Sequence, residues 1–268
     1  MYTKSQLHEQ LAEMGVPQDS VVLMHISLKS VGETEGRGEG LLDALIEYCT
    51  AKGGLFCVPT HTWANLKDVD TKPTLDLNSD ETCIGAFPSI AARRPDGHRS
   101  LHPTHSMIVF GDADRAEAYI KPEETNPTST GPSGCYGQLA SLGGKVLLVG
   151  VGHNRNTYLH SVEEMLDVPN RLTVKPKNAT VKLKSGEIIT HPLRCHNAVG
   201  IGDVSARYPK YEPAFRWHNC IVDGHVGDAP AQLCDAVGMR DVLTLVRERS
   251  GGIELMQEHD PLDEKYYK

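Results

Sequence analysis

Short continuous apolar runs alternate with helical stripes of apolar residues along this chain, and that order predicts an α/β protein. Leu7, Leu11 and Met14 stand at helical spacing within residues 5–14, and Gly15 and Pro17 stop the pattern. Val21–Ile26 (VVLMHI) is apolar except for His25, as expected of a strand buried on both faces. A polar turn over residues 27–40 then feeds a helix with the face Leu41, Leu42, Leu45, Ile46 and Cys49, which Gly53-Gly54 ends. Residues 55–58 predict a second buried strand, left through the loop Pro59-Thr-His-Thr-Trp63.

Residues 64–80 are polar, carry Asp68, Asp70, Asp76 and Asp80, and show no period, so they read as an excursion over the surface. A helix over 86–94, a loop from Arg99 to Ser106, a strand at Met107–Phe110 and a helix at Ala113–Ile120 come next. Residues 122–137 are rich in Thr, Ser, Pro and Gly, an irregular loop long enough to carry function or motion. The run at 146–149, the turn Gly150-Val-Gly152 and a helix capped by Thr157 and carrying His160, Glu163 and Glu164 form a strand, turn and helix within residues 145–164. Alternating polarity at 180–184 and 187–190 around Ser185-Gly186 predicts a β-hairpin, residues 219–226 a strand, and residues 229–236 and 240–249 closing helices, with a loosely held tail after Gly252. No repeat or low-complexity linker interrupts the chain. The expectation is one α/β domain over residues 1–268: a central mixed sheet flanked by helices, with an antiparallel addition in the C-terminal half.

Composition narrows the function classes. In 268 residues there are 35 acidic and 27 basic side chains, a formal charge of −8, which offers no general attraction to nucleic acid or anionic lipid. Seven cysteines without a C-x-x-C pair point to reduced thiols and a cytoplasmic setting. The first residues lack the apolar core of a signal peptide, and no run approaches the roughly 20 apolar residues that cross a bilayer.

Motifs with familiar chemistry are mostly excluded. Gly36-Arg-Gly38-Glu-Gly40 lies too far beyond the strand ending at Ile26, and is spaced wrongly, for a dinucleotide turn. No G-x-S-x-G elbow occurs. His102 with His105, and His191 with Cys195 and His196, lack a zinc-like second pair, so no metal is expected. Three histidine-bearing polar loops remain: His25 to Gly32, His102 to Ser106, and Asn156-Thr157 to Glu163.

The wording and order of these segments resemble the aminoglycoside 3-N-acetyltransferase family. The resemblance rests on GVPQDSVVLMHISLKSVG with LLDALIEYCTAKGGLFCVPTHTW, on RSLHPTHSMIVFG, on GGKVLLVGVGHNRNTYLHSVEE, and on VGDAPAQLCD. It implies the family's own α/β fold, distinct from GNAT acetyltransferases, and transfer of acetyl from acetyl-CoA to an amine of an aminoglycoside. The N-T-x-x-H match implies that His160 is the general base, supported by Glu163, with Asn156 and Thr157 beside them. The H-x-S-L match implies coenzyme A contacts at His25, Ser27, Leu28, Ser30, Val31 and Gly32. The H-P-x-x-S match places Ser106 at the cofactor and His102 near the same cleft. The chain departs from the family at Gly131-Pro-Ser-Gly-Cys-Tyr-Gly-Gln-Leu139, where Ser-Pro is common, and in the aspartate-rich excursion. A homologue that acylates another amine, and a coenzyme A binder without turnover, are the rival readings.

Overall fold

The computed structural model of the chain describes residues 1–197, 203–252 and 261–268. In chain order it forms α1 (Lys4–Glu13), β1 (Val21–Ile26), α2 (Arg37–Thr50), β2 (Leu55–Pro59), β3 (Leu75–Asp76), α3 (Ala86–Ala92), β4 (His98–Arg99), β5 (Met107–Phe110) and α4 (Ala113–Ile120). Then come β6 (Lys145–Val149), α5 (Tyr158–Met165), β7 (Lys177–Lys182), β8 (Ile188–Leu193), α6 (Glu212–Trp217), β9 (Ile221–Val226), β10 (Ala229–Asp235) and α7 (Ala236–Ser250).

Seven strands make the main sheet in the order β4-β5-β2-β1-β6-β10-β9. Only its centre is parallel: β1 pairs in parallel with β2 on one side and with β6 on the other, whereas β5 and β10 join antiparallel. Alternate residues of the central strands face opposite layers, as the period of two requires. Val22, Met24, Phe56, Val58, Leu147 and Val149 pack against α1, α2 and α3, while Leu23, Cys57, Val109, Val146 and Leu148 pack with Tyr158 and Leu159 of α5 and Leu243 of α7. The mixed sheet between helices agrees with the sequence reading. The hairpin expected around Ser185-Gly186 is present as β7 and β8, and Asp76 brings β3 alongside β7 to make a second, three-stranded sheet.

Four expectations change. The helix expected over 229–236 is absent; residues 229–235 are β10, in which Ala229, Ala231 and Leu233 alternate with Pro230 and Gln232, Gly227-Asp228 closes a hairpin with β9, and Ala236 is the first residue of α7. The helix read from Leu41 begins at Arg37, four residues earlier, because Gly36 adopts a left-handed conformation and a Cβ at Gly40 would lie 1.9 Å from the Glu35 carbonyl oxygen. The glycine cluster thus serves the tight entry to a helix. Thr157 stands at the N-cap of α5 but is already helical in φ and ψ and makes no side-chain cap bond. The tail after Gly252 falls in part on residues outside those described, and within 261–268 Leu262 and Tyr267 are buried against the core.

The long segment at 122–137 is irregular, as expected, yet much of it runs through the interior. Glu123 is buried beneath it and accepts hydrogen bonds from the Cys135 N–H at 2.6 Å and the Asn126 amide at 3.0 Å. Burial pushes its carboxyl up to about 7, against the pull of those donors. Replacing Glu123 with Ala strands a buried N–H, so we expect a loss of about 1–3 kcal/mol in urea denaturation, with the cavity adding to it. An unchanged denaturation midpoint would show that the segment is held by other contacts.

Candidate active site

The carboxyl ends of β1, β2 and β6 lie side by side, and the chain leaves β1 and β6 toward helices on opposite faces of the sheet, the arrangement that opens a crevice in α/β sheets. A cleft of about 1230 Å³ lies there. Its walls come from His25, Ser27 and Leu28 at the end of β1, from Pro59 and His61 at the end of β2, and from Gly150, Asn156, Thr157 and His160 after β6.

The loops after β1 and β6 are locked together. Ser27 donates its N–H to the Val149 carbonyl at 2.9 Å, and Ser30 Oγ donates to Ser27 Oγ at 2.8 Å. Gly150 has a φ of +62°, and a Cβ there would sit 2.6 Å from the Cβ of Ser30. Only glycine meets both demands. The Thr157 N–H donates to His25 Nε2 at 3.3 Å, which ties β1 to the start of α5. Burial pushes His25 down to about 3, so it stays a neutral acceptor and serves as a tether.

His160, on α5, is the one histidine of the three loops whose chemistry faces the cleft through a built relay. Its Nδ1 lies 3.9 Å from Glu163 Oε2, and the phenol of Tyr208 stands between them, 2.6 Å from Nδ1 and 2.8 Å from Oε2. Glu163 is 1% exposed and pairs with Arg171 Nε at 3.1 Å, so its carboxylate accepts and has no proton to give. Tyr208 has a single proton, which goes to Glu163; its oxygen therefore accepts from His160 Nδ1–H. That fixes the tautomer and leaves the lone pair on Nε2. Burial, and then the neighbouring His196, His61 and Arg171, hold His160 well below the ordinary imidazole value. Burial raises the Glu163 carboxyl, with Arg171 and Tyr208 opposing.

A second imidazole lies on the first. His196 stacks on His160 with ring centres 4.2 Å apart and planes 24° apart, and its Nε2 lies 3.0 Å from Thr130 Oγ1 and 3.3 Å from Glu164 Oε1. His105 and His61 continue the series, at 4.9 Å from His196 to His105 and 4.5 Å from His105 to His61. Two polar atoms of residues in the cleft walls, Ser129 Oγ and Asn156 Oδ1, are buried with no hydrogen-bond partner among the described residues. Among the described residues of the lining, the charged side chains are Lys29, Lys67, Arg155, Arg171, Lys177 and Asp203. Cations therefore predominate.

Other residues singled out in the sequence lie elsewhere. Ser106 is fully buried and donates Oγ–H to the Thr60 carbonyl at 2.7 Å, and it does not line the cleft. His102 is likewise outside it: Nε2 donates to the Thr128 carbonyl at 2.9 Å, Nδ1 accepts from the His105 N–H at 2.9 Å, and burial pushes the ring down to about 3. Ser30 braces Ser27 from behind, Val31 is buried and accepts from the Asp228 N–H, and Gly32 lies beside Asp228, so none of the three reaches the lining. The segment from Gly131 to Leu139 and the aspartates at 68, 70, 76 and 80 also stay outside it; Asp76 pairs with Lys182 and Asp80 with Arg93. Among the described residues no group of three His, Cys, Asp or Glu side chains is placed to hold a metal, and no helix is long and apolar enough to cross a membrane.

Sequence reasoning passed over Tyr208, Arg171 and the pair His196 and Glu164. Tyr208 lies in an irregular helical segment, Val204–Tyr211, interrupted by Pro209, with no motif around it. His196 reads from the sequence only as a candidate metal ligand.

Comparison with known proteins identifies the family and the fold. A family model described as aminoglycoside 3-N-acetyltransferase matches residues 23–246. The chain is 29% identical to aminoglycoside N(3)-acetyltransferase IV from Salmonella sp, over 98% of this chain and 97% of that protein. Among solved structures it resembles a histidine-to-alanine mutant of aminoglycoside acetyltransferase AAC(3)-IVa in complex with a gentamicin, at 26% identity and a TM-score of 0.72, covering 90% of this chain and 86% of the other. It also shares its fold with AAC-IIIb, solved as a binary complex with CoASH, at 18% identity and a TM-score of 0.76, covering 92% and 97% of the two chains.

The relay makes a prediction that needs no assay of activity. In an NMR titration with labelled histidine, His160 should remain neutral at pH 6.5 and report the Nδ1–H tautomer. Tyr208→Phe should shift that tautomer balance and lower stability by about 1–3 kcal/mol, since it strips a buried carboxylate oxygen of its donor. An unchanged tautomer in the variant would remove Tyr208 from the relay.

Proposed function

The chain belongs to the aminoglycoside 3-N-acetyltransferase family, and from that premise we propose that it is an acetyl-CoA-dependent N-acetyltransferase acting on an amine of an aminoglycoside at the 3-N position. In this reading residues 1–268 form one catalytic domain and His160 is the general base. The observation that carries the mechanism is the fixed tautomer of His160, whose unprotonated Nε2 belongs to a ring on the cleft wall while Nδ1 is committed to Tyr208.

The chemistry follows from the reactants. An ammonium nitrogen has no lone pair, so it must lose a proton before it can attack the thioester carbonyl carbon. The nitrogen must lose a further proton as it becomes an amide; a neutral imidazole is suited to accept a proton from it, and burial keeps His160 neutral at physiological pH. As Nε2 takes a proton, the positive charge that develops is answered through the phenol by Glu163, which lies one helical turn along α5 and is itself anchored by Arg171. The nitrogen lone pair bonds to the carbonyl carbon as an N–H proton passes to Nε2, the tetrahedral intermediate collapses with the C–S pair leaving on sulfur, and the sulfur of coenzyme A takes that proton from Nε2.

Coenzyme A fits the side of the cleft built by His25, Ser27 and Leu28, where Lys29 and Arg155 bring cationic groups suited to phosphates. Seven free thiols suit a reducing compartment, and we place the protein in the cytoplasm.

One observation favours a second acceptor class. The cleft's described charged side chains are mostly cations, and the aspartates of residues 64–80 do not reach it, whereas a polycationic acceptor is better served by carboxylates. A less cationic amine is the alternative. The two differ in salt dependence: for a polycation held by carboxylates KM rises with ionic strength as the Debye length shrinks from about 10 Å at 0.1 M toward 3 Å at 1 M, whereas a neutral or monoamine acceptor shows little change.

Three measurements test the function. Coenzyme A should bind in calorimetry and raise the melting temperature by mass action. His160→Ala should lower kcat by about 10²–10⁴-fold with coenzyme A affinity nearly unchanged, because a general base acts only in the transition state. Since the folded-state pKa of His160 is lowered, its rising limb in the pH–rate profile should lie below the ordinary imidazole value of about 6.5 and vanish in the Ala variant. A folded His160→Ala protein that turns over within a few-fold of wild type would sink the mechanism.

A further inference from the structure

Acetyl transfer to an amine, the reading on which this inference rests, asks more of the protein than one base supplies. An acceptor that arrives as R–NH₃⁺ sheds one proton to become nucleophilic and a second as its nitrogen becomes an amide. One imidazole holds one proton at a time. The structure places two imidazoles at one spot in the cleft wall, each joined to its own carboxylate, and those carboxylates are consecutive residues of α5.

We propose that His196, held by Glu164 and Thr130, is a second catalytic base of the acetyl transfer: it takes the proton of the incoming ammonium and leaves His160 to take the proton released as the C–N bond forms. The geometry separates the two tasks. Thr130 donates both its N–H, at 3.0 Å, and its Oγ–H, at 2.7 Å, to Glu164 Oε1. Against burial, which raises it, His196 and these bonds hold the Glu164 carboxyl below its usual value, so it is an anion. The Nε2 of His196 must then be a donor toward Thr130 Oγ1 and Glu164, which leaves Nδ1 as its basic nitrogen. An imidazolium formed on His196 has a carboxylate oxygen at 3.3 Å, whereas on His160 the carboxylate is 3.9 Å away, screened by a phenol and shared with the Arg171 cation. His196 is therefore the better host for a proton that has to stay. His160 is the better host for one that has to be passed on.

The protons balance. R–NH₃⁺ gives a proton to His196 Nδ1 and becomes R–NH₂; the nitrogen lone pair bonds to the carbonyl carbon and the C=O π pair moves to oxygen. His160 Nε2 takes the N–H proton, the intermediate collapses with the C–S pair leaving on sulfur, and His160 returns its proton to that sulfur. His196 releases its own to water. The products are amide, thiol and one proton. Face-to-face stacking forbids a hydrogen bond between the two rings and disfavours charging both, so His196 discharges before His160 is charged; its side chain, 22% exposed, has the contact with water that this requires. The titratable groups facing His196 from the elements around it are Glu164, Glu163 and His160 on α5, His105 and His102 from the loop before β5, and His61 after β2.

The test is the pH dependence of kcat/KM for gentamicin in wild type, His196→Gln and His160→Ala. At pH 7, His196→Gln should fall by about 10²-fold, and the deficit should shrink as pH rises toward the acceptor's own pKa, because a free amine needs no first base. The His160→Ala deficit should persist at every pH. A His196→Gln deficit below about threefold at pH 7, or one that does not change with pH, overturns the proposal. If His196→Gln no longer folds, as judged by loss of the melting-temperature rise with coenzyme A, Glu164→Gln is read instead and should show a smaller deficit with the same pH dependence; a flat profile overturns the proposal there too. A wild-type protein that acetylates no amine at any pH defeats the acetyltransferase reading itself, an outcome distinct from turnover that is indifferent to His196.

Discussion

The parallel pairing of β1 with a strand on each side is the constraint from which the site follows. Both of its edges are spent and both of its faces are buried, so β1 can only run straight to its carboxyl end, where its carbonyl and amide groups must find new partners. Ser27 finds one in Val149, at the matching end of β6, and that bond brings the loop after β1 against the turn after β6. Gly150 is the price of the approach. The helices that come next leave on opposite faces, and the space between their starts is the cleft.

Within that space the electrostatics run outward from α5. Two carboxylates are buried, which costs several kcal/mol each unless the charge is answered. Glu163 is answered by Arg171 and Tyr208, and Glu164 by Thr130 and His196. The partners come from four separate stretches of chain, so the acids gather parts of the protein that share no sheet or helix. The same desolvation that makes the carboxylates costly keeps His105 and His160 neutral, and a neutral imidazole is what proton abstraction requires.

Much of this was legible beforehand because the relevant signals are local. The runs at 21–26, 55–58 and 146–149 could only be buried strands, and the match around N-T-x-x-H singled out a histidine that does line the cleft. What could not be read was anything set by pairing at long range. The alternation of Ala229, Ala231 and Leu233 is weak because alanine favours helix over strand, and what makes this stretch a strand is its pairing with β6 and β9. Tyr208 is 48 residues from His160, in a segment without period, so no spacing argument could have found it. Ser106 misled for the opposite reason: its neighbourhood in sequence is the right one, but its hydroxyl is spent on Thr60 behind the cleft wall.

Consecutive positions on a helix point about 100° apart, so Glu163 and Glu164 serve two different histidines only because α5 has one fixed rotation about its own axis. That rotation is set by Leu159 and Val162 in the core and by the Tyr158 hydroxyl donating to the Ala236 carbonyl at 2.8 Å. A single inserted or deleted residue between Thr157 and Glu163 would turn both acids by about 100° and undo both pairs at once. Length is therefore a stricter constraint here than identity: this stretch tolerates changes of composition better than changes of register, whereas the exposed turn at Ser185-Gly186 between β7 and β8 can take up an extra residue without disturbing either pair.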